Sequence, residues 1–282
     1  MSRIAIITDS TAYLPQEYID QLSIYVAPQV LIWGDDTYED GVDIYPNEFY
    51  TRLKTAKVMP STSQVTPATF NKFFAELVVQ DKQILAVLIS NYLSGTIASA
   101  IQAKDNFPGA TIEIVDSYTT SMALGFQVLT VARAAAQGAT LEECKSLAEE
   151  ARNHVGVVFA VDTLEFLHRG GRIGGASRFL GTALNIKPIL EVTGGRVEAI
   201  ERVRTRKKSL ERMVELVEER IAGRTPIRLA TLHANAEQEA RQLLDESTRK
   251  LKAVESVFSE VSPVVGTHAG PGTIGVAFMA GM

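Results

Sequence analysis

The sequence predicts an α/β protein of two domains, a mainly parallel sheet flanked by helices over residues 1–154 and a mixed α/β sheet over residues 155–282. Three observations carry that expectation. Short apolar runs alternate with longer helix-forming segments through the first half, as strands joined by helical crossovers do. The runs end in Ser, Thr and Asp, the residues of strand-to-helix junctions. After His154 the alternation gives way to two strand-like segments joined by Gly194-Gly195, a hairpin signature. With 282 residues, 46% of them hydrophobic, the chain is long enough for two cores.

Residues 4–7 read as a buried strand, 8–11 as a polar turn, and Pro15 starts a short helix to about residue 22. A strand over 24–32 follows, then an acidic loop over 35–43 and a helix over 46–54. Thr66-Pro67 starts a helix carrying Phe70, Phe73, Phe74 and Leu77. Residues 84–89 form a strand, 95–106 a helix and 112–115 a strand. Helices over 119–137 and 140–152 are separated by Gly138, and Thr140 and Glu143 have the spacing of a capping box. Beyond it, 155–161 is a strand, and 186–193 with 196–204 make the hairpin. Strands over 227–232, 254–261 and 273–279 accompany helices over 207–222 and 236–251.

A formal charge of −5 argues against a general nucleic-acid binder. One cysteine, Cys144, excludes a disulfide framework and a cysteine-based zinc site, and fits helix packing in a reducing compartment. There is no signal-peptide pattern and no run of about twenty apolar residues, so a cytoplasmic protein without an integral membrane segment is expected.

Gly270, Gly272 and Gly275 match G-x-G-x-x-G, but only seven residues follow, too few for the helix and acidic residue of a dinucleotide site. The segment over 264–272 therefore reads as a glycine-rich turn that approaches a ligand closely and presents Thr267 and His268. Ser61, Thr62, Ser63 and Thr66 supply four hydroxyls before a helix, more than one N-cap requires, and such a loop can hold a carboxylate or phosphate. Polar clusters at 8–11, 90–96 and 116–117 end predicted strands, where open α/β sheets bind ligands, although helix capping explains each one alone.

Arg169 and Arg172 among four glycines read as an anion cradle or docking loop, against the blander reading of a solvated coil. Arg202, Arg204 and Arg206 read as a basic surface for an acidic partner, against a merely solvated face. The acidic loop at Asp36, Glu39, Asp40 and Asp43 lacks the ligand pattern of a calcium loop and is taken as a turn, so no metal is expected. No P-loop occurs. His154 and His233 are structural. Ser94 with His268 and Asp9 or Asp116 could form a hydrolytic triad by geometry, but no G-x-S-x-G elbow accompanies them.

Thr8-Asp9-Ser10-Thr11, Pro60-Ser61-Thr62-Ser63-Gln64, Leu93-Ser94-Gly95-Thr96, Arg169-Gly170-Gly171-Arg172-Ile173, Lys187-Pro188 and Gly266-Thr267-His268-Ala269-Gly270-Pro271-Gly272 together resemble the DegV family of bacterial fatty-acid-binding proteins. The resemblance spans essentially the whole chain. It implies one long-chain fatty acid in a tunnel between the domains, its carboxyl group at their interface, and no other cofactor. It also implies a non-catalytic subunit whose carboxyl cargo a separate ATP-binding fatty acid kinase converts to acyl-phosphate for phospholipid synthesis. By motif, Thr62, Ser94 and His268 contact the head group, with Ser61, Ser63, Gly95 and Thr267 adjacent. Arg169 and Arg172 lie near the opening, and Arg202, Arg204 and Arg206 on the kinase-docking face, with transient contact to a membrane surface. Tyr13 stands where relatives more often carry aspartate.

Transfer energies agree with that division of labour. Burying a long tail at about 0.8 kcal/mol per methylene supplies on the order of 10 kcal/mol, against roughly 1.5–3 kcal/mol for each hydrogen bond to the carboxylate. Two other readings use the same residues: a serine hydrolase of acyl esters through Ser94 and His268, and a sensor whose lipid controls partner binding.

Overall fold

All six residues of the first strand, β1 (Ile4–Asp9), are buried, as a strand covered on both faces requires. The computed structural model describes residues 3–181 and 186–282. After β1 come α1 (Gln16–Leu22), β2 (Tyr25–Ala27), β3 (Val30–Trp33), β4 (Asp36–Glu39), α2 (Pro46–Leu53), β5 (Ser61–Ser63), α3 (Pro67–Val79), β6 (Gln83–Leu88), α4 (Thr96–Lys104), β7 (Ile112–Asp116), α5 (Ser121–Ala136) and α6 (Leu141–Ala151). The chain continues through β8 (Val155–Ala160), α7 (Glu165–Arg169), β9 (Lys187–Thr193), β10 (Arg196–Val203), α8 (Arg206–Ile221), β11 (Ile227–His233), α9 (Glu237–Leu251), β12 (Glu255–Glu260), α10 (Pro263–Ala269) and β13 (Ile274–Ala280).

A parallel sheet of order β2-β1-β6-β7 and a mixed sheet of order β10-β9-β8-β13-β11-β12 make up the α/β architecture expected from the sequence. On one face of the parallel sheet pack Phe70, Phe74 and Leu77 of α3 with Ile97, Ala100 and Ala103 of α4. Helix α5 lies on the other face and also against β8 and β13, so both sheets cover it. Twelve of its 16 residues are buried, and a helix that is apolar all round belongs in such a place. Alternation along the mixed sheet then divides its side chains. Val157, Leu232, Ala277 and Met279 share a core with α5, while Val158, Ile274, Val276 and Phe278 pack with Met213 and Val217 of α8 and Leu243 of α9.

Several local signals operate as read. Thr66 caps α3 by accepting from the Thr69 N–H, and Thr140 and Glu143 form the capping box of α6. Gly194 and Gly195, with φ of +56° and +80°, make the hairpin turn between β9 and β10. Cys144 is buried on α6.

Three expectations are corrected. The strand expected over 24–32 is two, β2 in the parallel sheet and β3 in a small antiparallel sheet of order β4-β3-β5. Pro28 has no N–H for a ladder, and the Gln29 N–H donates instead to the Ser10 hydroxyl. The acidic loop contains a strand, β4, and its Asp40 is buried with one carboxylate oxygen 2.6 Å from the Ser10 hydroxyl. The glycine-rich turn holding His268 is helix α10, started by Pro263 after an Ser262 cap. Its Gly266 is there for proximity, since a Cβ would overlap the Tyr50 hydroxyl of α2.

Candidate functional site

His268 occupies the last turn of α10, and its Nε2 lies 2.8 Å from the Thr62 hydroxyl of β5. Strand pairing places Thr62 opposite Leu31 of β3, which fixes the hydroxyl that the imidazole meets. Behind the ring runs the backbone of Gly170, at the C-cap of α7, where any Cβ would overlap His268 Nδ1. The glycine has an ordinary φ of −75°, so space and not backbone freedom demands it. The next link is Arg172, whose Nε donates to the Leu93 carbonyl at 3.1 Å and whose Nη1 donates to the Gly170 carbonyl at 2.7 Å. Gly95 then closes against Gln64, with a Cβ position 3.3 Å from that side chain. Four chain segments thus form a closed ring: β5, the loop after β6, the turn after α7, and α10.

Ser94 is held from behind by a buried relay. Its hydroxyl lies 2.9 Å from the Thr96 hydroxyl, and Gln29 Nε2 reaches Thr96 Oγ1 at 2.9 Å and Asp9 Oδ1 at 3.2 Å. Asp9 is wholly buried; its Oδ1 accepts from the Thr11 hydroxyl at 2.6 Å and its Oδ2 from the Ile89 N–H at 2.8 Å. Burial pushes the Asp9 carboxyl up, against the pull of those donors. The polar turn at residues 8–11 is therefore a support that orients Gln29, Thr96 and Ser94.

The ring opens on a cavity of about 910 Å³ of space between atoms, a figure that includes its open mouth. Thr62, Ser63, Ser94, Arg172 and His268 line it, as do apolar residues of the mixed sheet such as Val157, Phe159, Val192 and Leu232. Among the anticipated site residues, Ser61 is exposed at the edge and Gly95 lies behind the wall against Gln64. The Thr267 hydroxyl donates to the Pro263 carbonyl at 2.9 Å, within its own helix. Arg169 is exposed and pairs with Glu165. Arg172 instead lines the cavity. Arg202 is exposed and stacks over Phe179 at 4.9 Å, Arg204 is exposed, and Arg206 pairs with Glu239.

The arrangement does not form a hydrolytic triad. His268 Nε2 meets Thr62, and Nδ1 has no partner among the described residues. The Ser94 hydroxyl is bonded to Thr96, and Asp116 accepts from the Tyr118 and Asn91 N–H groups. Triad chemistry needs the imidazole between the nucleophile and a carboxylate. Among the described residues no group of three or more His, Cys, Asp or Glu could hold a metal ion. His154 Nδ1 lies 2.8 Å from the Ala280 carbonyl, and His233 stacks on Phe258, both as structural residues do.

Burial, and then the positive charge of Arg172, push the His268 imidazole down to about 4. It is therefore neutral at pH 7. Since the unfolded chain takes up this proton near 6.5, His268 removes at most about 3 kcal/mol of stability as pH falls from 6.5 to 4. Asp40, pushed up to about 6 by burial, acts with the opposite sign, because the folded state holds a proton the unfolded chain releases between pH 6 and 3.8. The two contributions oppose each other over the same pH range, so the imidazole is followed site by site and not through global unfolding. Site-resolved NMR should show His268 titrating near 4, and Gly170→Ala, which displaces the ring, should return it toward 6.5. Titration near 6.5 in the unaltered protein would contradict this geometry.

Sequence reasoning passed over Gln29, Thr120 and Ser121 as cavity residues. The polar residue after Pro28 and the Thr-Ser pair before a helix were the available signals, and both look like ordinary junction residues.

A family described as "uncharacterised protein, DegV family" matches residues 3–281. The chain is 37% identical to a DegV domain-containing protein of Deinococcus radiodurans, over 97% of each. Among solved structures it is similar to a DegV family protein from Thermus thermophilus, whose description concerns fatty acid binding, with a TM-score of 0.91 and 34% identity over 99% of this chain and 100% of that one. It is also similar to DegV of Bacillus subtilis, described as a fatty acid binding protein, with a TM-score of 0.90 and 32% identity over 99% and 100%.

Proposed function

We propose that this chain, which belongs to the DegV family, carries one long-chain fatty acid in the cavity and presents the carboxylate at the ring of β5, the loop after β6 and α10. The observation that carries the reading is the 2.8 Å contact of Thr62 with His268 in a cavity whose wall also carries Val157, Phe159, Leu167, Val192 and Leu232. If the neutral imidazole donates from Nε2 to the Thr62 oxygen, the Thr62 hydroxyl hydrogen is free to donate to a carboxylate. Ser94, oriented through Thr96, supplies a second donor, and Arg172 supplies compensating charge. Ser63 lines the same end. The relatives from Thermus thermophilus and Bacillus subtilis, described as fatty-acid binders, support this class of ligand.

In this reading the two sheets are separate domains divided at 154/155, with the cavity between them, and the protein works in the cytoplasm without catalysing a reaction. No helix among the described residues is long and apolar enough to cross a membrane. A separate ATP-dependent fatty acid kinase phosphorylates the presented carboxylate for phospholipid synthesis, since alignment of a fixed acceptor is what phosphoryl transfer needs. Exposed Arg169, Arg202 and Arg204 are the docking surface, with Arg206 held behind them by Glu239.

Denaturing extraction of the purified protein followed by mass spectrometry tests the class. A free long-chain carboxylic acid at near one equivalent is the expected result. Protein that neither retains such an acid nor takes one up when it is supplied would refute the reading.

A further inference from the structure

We propose that the cavity carries a second polar node, the Thr120 and Ser121 hydroxyls at the start of α5, that selects acyl chains bearing a hydroxyl or carbonyl oxygen along their length. The inference rests on the fatty-acid reading above and narrows its substrate class. Thr120 and Ser121 both line the cavity. Ser121 is only 4% exposed, and Thr120 Oγ1 and Ser121 Oγ are buried with no hydrogen-bond partner among the described residues. Four other hydroxyls of the same wall are engaged, Thr11 with Asp9, Thr62 with His268, Ser94 with Thr96, and Thr273 with the Ala269 carbonyl, while the Tyr13 hydroxyl, also in the wall, is buried without a hydrogen-bond partner among the described residues.

The ordinary role for Thr and Ser before a helix is capping, and neither performs it. Thr120 is the N-cap residue of α5, yet its side chain makes no cap hydrogen bond. Ser121 sits at φ +59°, a conformation a non-glycine residue adopts at a penalty. No hydrogen bond joins this pair to Thr62, Ser94 or His268 among the described residues. A plain methylene chain laid against it leaves both buried hydroxyls unsatisfied, whereas a chain oxygen can accept from one and, as a hydroxyl, donate to the other. A site lined by hydrogen-bonding groups discriminates against the ligand that lacks the matching oxygen.

The test measures dissociation constants of the full chain for a saturated long-chain acid and for its monohydroxy isomers, substituted at successive carbons. At least one isomer is expected to bind about tenfold more tightly than the plain acid. In the variant Thr120→Val with Ser121→Ala, the ratio of the two constants should fall to within about twofold. The inference is overturned if no isomer exceeds the plain acid, or if the preference survives in the variant. It is equally overturned if that variant loses the plain acid as severely as a Thr62 and Ser94 variant does, because the node would then hold the carboxylate. Failure of the unaltered protein to bind any long-chain acid would instead defeat the carrier function itself, and this inference with it.

Discussion

Thr62→Val combined with Ser94→Ala is expected to weaken long-chain fatty-acid binding by roughly 10²- to 10⁴-fold, the equivalent of losing two hydrogen bonds to a carboxylate at about 1.5–3 kcal/mol each. Valine keeps the volume of Thr62 but leaves His268 Nε2 facing a methyl group, so the imidazole loses its partner at 2.8 Å as well. The Ser94 change removes a hydroxyl without disturbing Asp9, whose donors include Thr11 and the Ile89 N–H. Equilibrium binding of a fluorescent long-chain acid checks the affinity, and circular dichroism checks that the fold persists. A folded double variant with unaltered affinity would remove these hydroxyls from the head-group site.

Gly275→Val should shorten the chain that the protein can hold. Gly275 lies on β13 in the cavity wall, and a Cβ there would stand 3.2 Å from both Leu232 and Phe159, which line the same wall. The added methyls have nowhere to go but into the cavity or against those two neighbours. Excluding three or four methylenes at about 0.8 kcal/mol each amounts to about 3 kcal/mol, or roughly a hundredfold in affinity. Medium-chain acids that stop short of β13 should lose far less. Competition binding across a series of chain lengths separates the two outcomes, and equal losses at every length would place Gly275 outside the tail path.

The elements legible in the sequence were those whose period and punctuation agree, such as the capped helices α3 and α6 and the Gly-Gly hairpin. What escaped reading was tertiary in origin. Gly266 looked like a turn residue because glycine is rare inside helices, yet it lies within α10 because Tyr50 comes so close. Asp40 reads in the sequence as part of an acidic turn, and only the fold shows it buried on Ser10. The Thr62, Ser94 and His268 positions were accessible through the order of the motifs, while Arg172 was assigned to the opening and the fold turns it into the wall. Gln29 gave no periodic signal at all. Its part in the site arises from a side chain reaching across to Asp9 and Thr96, a contact that no local pattern encodes.

Structure determination of the protein with a bound long-chain fatty acid addresses the central claim most directly. The account predicts a carboxylate oxygen at about 2.7–2.9 Å from the Thr62 hydroxyl, with Ser94 as a second donor, and the tail running along Val157, Phe159 and Gly275. A carboxylate bound away from Thr62 and Ser94, or an acyl chain lying outside this cavity, would contradict it.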